Sequence, residues 1–146
     1  MCQCALYPHS RGLTAWMISL AHSKNWAACS VGEVPSGIDV EEDSADALAI
    51  AENFFTAQEY QQLCKLDGVT RAEKFLSIWT IKESFAKFTG RGMDNTFAAI
   101  DATEILSGNG KIVGKNFFLN GAVVGVCSER DCLSEYFSIP LIRTLI

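Results

Sequence analysis

The chain has 146 residues, of which 49% are hydrophobic and 20% charged, with a net charge of −5. A domain of that length buries roughly 70% of the surface its unfolded form exposes, so a core needs no disulfide or metal staple. The acidic balance argues against a nucleic-acid partner, which demands a basic footprint, and no apolar run approaches the ~18 residues of a membrane span.

Residues 1–10 lack a basic segment followed by a hydrophobic one, the pattern of a secretory leader, and His9 among Pro8, Ser10 and Arg11 reads as a loop residue. The six cysteines contain no C-x-x-C pair, so reduced thiols in a cytoplasmic protein are the expectation. Trp26–Val31 has strand character, Gly32–Ser36 turn chemistry, and 36–41 reads as the returning strand of a hairpin. A helical region follows at about 45–64, within which Thr56 and Glu59 have the spacing of a capping box. Asp67-Gly68 breaks it from a second helix at about 71–89, which Thr70 and Glu73 are placed to cap and Gly90-Arg91-Gly92 to end. Beyond it, strands are expected near 97–101, 111–114, 116–119 and 121–127, with Gly108-Asn109-Gly110 as a hairpin turn. That order predicts an α+β fold, an antiparallel sheet with helices packed on one face, in a single domain over 1–146.

Two places carry chemistry. On a strand, residues i and i+2 share a face, so Asp39 and Glu41 project together at about 6–7 Å, a pair that suits Mg²⁺. The bland reading is that they begin an acidic, solvated loop running through Glu42, Asp43 and Asp46. On the helix, Phe75, Ile78, Lys82 and Phe85 form one stripe, and Leu76, Trp79, Glu83 and Lys87 an adjacent one. Charged groups on such apolar stripes invite a use, although Glu83 and Lys87 also have the spacing of an ordinary surface ion pair. No phosphate-binding glycine loop occurs, and Ser23 beside His22 lacks a nucleophile-elbow sequence.

Gly37-Ile38-Asp39-Val40-Glu41, Phe54-Phe55-Thr56-x-x-Glu59-Tyr60, Trp79-Thr80-x-Lys82-Glu83-Ser84-x-x-Lys87 and Gly90-x-Gly92 resemble, in order and spacing, the 4′-phosphopantetheinyl transferases of the surfactin-activating (Sfp) type. The resemblance covers roughly 17–128, including Ile18 to Trp26 upstream and, more weakly, 121–127. It implies a transferase that moves the phosphopantetheine arm of coenzyme A onto a serine of an apo acyl or peptidyl carrier protein, releasing adenosine 3′,5′-bisphosphate. By the same resemblance Asp39, Glu41 and Glu83 hold Mg²⁺, and Glu83 takes the serine proton. Lys87 faces the phosphate under attack, Lys82 supports that region, and His22 touches a coenzyme A phosphate. Ala21 stands where the family usually has a serine, and the chain matches only the second half of an Sfp-type enzyme. From that follow an expected homodimer or homotrimer and an alternative reading as a catalytically impaired coenzyme A or carrier-protein binding module. A third is a structural remnant whose charged helix residues form only ion pairs.

Overall fold

Two antiparallel sheets carry the strands in the computed structural model, which describes residues 5–8, 15–132 and 142–143, with side chains over 16–132. In the first, β1 (Ala5–Pro8), β2 (Ala15–Ser23), β3 (Trp26–Gly32) and β7 (Ile142–Arg143) lie in that order. In the second, β6 (Ala122–Glu129) runs between β4 (Ser36–Glu41) and β5 (Ile112–Leu119). His9 and both Cys2 and Cys4 fall outside the described residues; Cys29, Cys64, Cys127 and Cys132 are free thiols. No helix among the described residues is long and apolar enough to cross a membrane.

The second sheet separates two apolar layers, and its strands alternate accordingly. Ile38, Val40, Ala122, Val124 and Val126 face the first sheet and pack on Ala21 and Ala28. On the opposite face, Val123 and Cys127 join a core built from the helices α1 (Ala47–Phe54), α2 (Ala57–Cys64), α3 (Gly68–Thr89) and α4 (Ala102–Ser107). Phe54, Phe55, Phe75, Trp79 and Phe97 fill it with stacked and edge-on rings 5.5–6.0 Å apart. Helix α3 is clasped from several sides, which is why Thr80, Lys82 and Ser84 are buried along with Phe75, Leu76, Ile78 and Ile81.

Several expected elements differ. The strands at 26–31 and 36–41 do not form a hairpin: β3 pairs with β2, and β4 crosses to pair with β6 from Ser36↔Ser128 to Glu41↔Val123. Gly37, Ile38, Asp39 and Val40 are all buried, so β4 needs cover on both faces, which pairing on β3 in an outer sheet does not give. Residues 97–101 are a 3₁₀ turn (Phe97–Ala99) leading into α4, whose start is capped by Asp101 Oδ1 accepting from the amides of Thr103 and Glu104. Gly108 caps the end of that helix with φ 71° rather than turning a hairpin. The two strands expected at 111–119 are one, β5, and the tight turn is Asn120-Gly121, with Leu119 paired to Ala122. Strand β2, which carries His22 and Ser23, had no assigned element. The capping box at Thr56 and Glu59 forms, whereas α3 starts at Gly68, ahead of Thr70, with Asp67 as its uncapped flank.

Candidate functional site

Two glycines let α3 lie directly on the second sheet. A Cβ on Gly37 would overlap the Ser84 carbonyl and stand 2.7 Å from the Phe88 amide nitrogen; one on Gly125 would stand 2.6 Å from the Thr80 carbonyl oxygen. Ser77 Oγ, donating to Asn116 Oδ1 over 2.7 Å, fixes the helix along β5 as well. Because alternate residues of β4 face the helix, the close approach at Gly37 places Asp39 and then Glu41 beside its last turns.

Asp39 is 6% exposed. Lys87 Nζ, in the last turn of α3, donates to Asp39 Oδ1 at 2.7 Å and to the Ile38 carbonyl at 3.1 Å. Asp39 Oδ2 is buried with no partner. Burial pushes the Asp39 carboxyl up to about 7; Lys87 opposes the rise, and the charges of Glu83 and Glu41 add to it. Glu83 is half-buried, and its carboxyl is raised by burial and by Glu41 and lowered by Lys87. Mutual influence of this kind means that Asp39, Glu41, Glu83 and Lys87 share one electrostatic neighbourhood. Glu41 is held by Ser23, whose hydroxyl donates to Glu41 Oε2 at 2.6 Å. From the sequence Ser23 is weighed only as a nucleophile and this contact is not anticipated, because no strand was assigned over β2 to show that Ser23 faces inward with Ala21.

The acidic run divides at Glu41. Glu42 accepts from the Asn25 amide at 3.0 Å and Asp43 pairs with Lys24 at 2.8 Å, both near the surface, so the solvated-loop reading holds for these two and fails for Asp39.

Lys82 is not brought to this group. Fully buried, its Nζ meets Glu59 Oε2 at 3.2 Å and donates to the carbonyls of Ala98 and Ile100 at 3.2 and 2.5 Å. Glu59 completes the network by accepting from the amides of Thr56 and Ala102, both at 2.8 Å. Burial lowers the Lys82 ammonium from its ordinary value and Glu59 opposes that. Lys82 and Lys87, five residues apart, thus leave different sides of α3, and Lys82, expected to support a phosphate, lies in a core ion pair with Glu59. His22 is exposed on the face of β2 opposite Ser23.

The clustered donors are carboxylate oxygens, the set a hard divalent ion prefers, and the orphaned Asp39 Oδ2 is the kind of buried acceptor such an ion satisfies. The residues therefore fit a divalent cation chemically. Among the described residues, however, no three acids, histidines or cysteines converge into a ready cage.

The model of the 4′-phosphopantetheinyl transferase superfamily matches residues 35–131, which contain all of this cluster except Ser23. A 4′-phosphopantetheinyl transferase of Bacillus pumilus, psf-1, is 30% identical over 142 residues, covering 90% of this chain and 61% of the relative. The enzymes gsp of Aneurinibacillus migulanus and Sfp of Bacillus subtilis are 39% and 36% identical over 75 residues, 51% of this chain in each case, and 32% and 34% of their own lengths. The chain thus spans from 32% to 61% of the length of these curated relatives.

Proposed function

Because this chain belongs to the 4′-phosphopantetheinyl transferase superfamily, we propose that it transfers the phosphopantetheine arm of coenzyme A to a serine of an apo carrier protein, with Mg²⁺, and releases adenosine 3′,5′-bisphosphate. The observation that supports this most is the buried Asp39, one oxygen on Lys87 and the other unpartnered, beside two further carboxylates.

In this reading Asp39, Glu41 and Glu83 hold the metal. When bound, Mg²⁺ supplies charge neutralisation at the pyrophosphate of coenzyme A. Phosphoryl transfer asks little covalent chemistry of a protein, so positioning and electrostatics carry the rate. Ser23 keeps the Glu41 carboxylate turned inward. Glu83, its carboxyl raised above the ordinary value by burial, accepts the proton of the carrier serine as that oxygen attacks, directly or through a water. The Lys87 ammonium offsets charge on the leaving bisphosphate. The contact of His22 with a coenzyme A phosphate is carried by the resemblance alone, since His22 is exposed on the face of β2 opposite Ser23. We extend the proposal to self-association as a homodimer or homotrimer and to a cytoplasmic location.

The test is incubation with coenzyme A, Mg²⁺ and several apo carrier proteins, read by mass spectrometry of the carrier. The expected result is a mass gain equal to the phosphopantetheine arm that chelation abolishes. Mg²⁺-dependent coenzyme A binding with no such gain on any carrier selects the binding-module reading instead.

A further inference from the structure

Lys87 already occupies the place where the acidic site needs a cation. Two of the three N–H bonds of its ammonium are directed back into β4, to Asp39 Oδ1 at 2.7 Å and the Ile38 carbonyl at 3.1 Å. A hard divalent ion seeks the same kind of oxygen, and the only Asp39 acceptor left to it is the buried Oδ2. Glu41, by contrast, is engaged by a neutral hydroxyl that brings no competing charge. A bare divalent ion entering beside Asp39 would face the ammonium at short range in a partly buried setting, where like charges repel strongly. Glu83, the anion one turn along α3 that already feels Lys87, offers the ammonium little relief, because it is itself one of the acids the ion would use.

We propose that Lys87 is a resident counter-cation which makes the acidic site selective for a divalent ion already paired with a diphosphate-bearing ligand, because such a complex brings its own anion to which the ammonium can transfer from Asp39. The proposal rests on the reading of Asp39 as a metal-facing carboxylate. It gives Lys87 a task before chemistry begins, namely discrimination between a free ion and a complexed one.

Mn²⁺ alone, then Mn²⁺ with coenzyme A, is titrated into the full chain in mildly alkaline buffer and followed by water-proton relaxation. The wild type is expected to bind the bare ion weakly and the ion with coenzyme A well. Lys87→Met is expected to bind the bare ion about tenfold tighter or more, and to lose most of the gain from coenzyme A. A Lys87→Met chain that binds bare Mn²⁺ no better than the wild type overturns the proposal while leaving the metal assignment standing. A wild type that takes no Mn²⁺ even with coenzyme A removes the metal assignment and the proposal together. If Lys87→Met does not fold, the wild type labelled with ¹⁵N-lysine decides. The Lys87 ammonium signal must shift when Mg²⁺ and coenzyme A are added together, and an unmoved signal rejects the handover.

Discussion

Glu83→Gln keeps the size of the side chain and removes its basicity, so it is expected to lower arm transfer by about 10²-fold or more with the fold intact. Single-turnover rates beside far-ultraviolet circular dichroism check this; a variant as fast as the wild type removes Glu83 from proton transfer. Asp39 gives a second expectation. Its carboxyl sits at about 7 in the fold against 3.8 for the ordinary group, because burial outweighs Lys87. The folded state therefore holds that proton more tightly than the unfolded one. The stability this contributes is fully present below about pH 4 and is lost as pH rises through about 7. Denaturation midpoints of the wild type should thus fall across that window relative to Asp39→Asn, which cannot titrate, and parallel pH profiles would show that Asp39 is not the group responsible. Strand and helix periods paired Asp39 with Glu41 and Glu83 with Lys87, because they decide which residues share a face, but only the family resemblance joined the two pairs into one site. The sequence did not carry the fate of Lys82. Its stripe on α3 faces a buried glutamate from another helix, and no local spacing encodes the meeting of Glu59 with Lys82.

Helix α3 and the second sheet meet at two glycines, and the approach at Gly37 sets the position of every site residue on β4 and the end of α3. Gly37→Ala has no room to relax, because the atoms it meets are backbone. It is expected to cost about 1–3 kcal/mol or more and to displace Glu83 and Lys87 from Asp39. A lowered urea midpoint together with lost transfer by the still-folded fraction checks the claim; an unchanged midpoint contradicts it. Element boundaries were legible where a local device sets them, as with the capping box at Thr56 and Glu59 and the left-handed Gly90. They were lost where tertiary demand decides. Strand β4 looks like the return arm of a hairpin because Gly32 to Ser36 has turn chemistry, yet burial of both its faces sends it to β6. Around 97–107 the expected strand gives way to a 3₁₀ turn and α4, whose start Asp101 caps through the amides of Thr103 and Glu104.

At the scale of the molecule, the outer face of the first sheet stands out. Trp16, Leu20 and Val31 are 37%, 48% and 58% exposed there, and His22 shares the face. A second copy seated on that face would cover apolar surface of a kind that marks interaction sites and would bring further basic groups toward His22. Light scattering at micromolar concentration is expected to give a dimer or trimer; a monomer that transfers the arm efficiently contradicts this. The Glu59 carboxylate ties the start of α2, the middle of α3 and the entry to α4 to a single pair of oxygens. These three segments are distant in sequence, yet none can open while the others stay shut without stranding a buried charge. They should therefore behave as one cooperative unit in native-state hydrogen exchange, with the Thr56 and Ala102 amides sharing a common opening free energy and a common denaturant dependence. Local fraying of α4, a helix of six residues that would otherwise be the first to loosen, is suppressed by a carboxylate that belongs to a different helix.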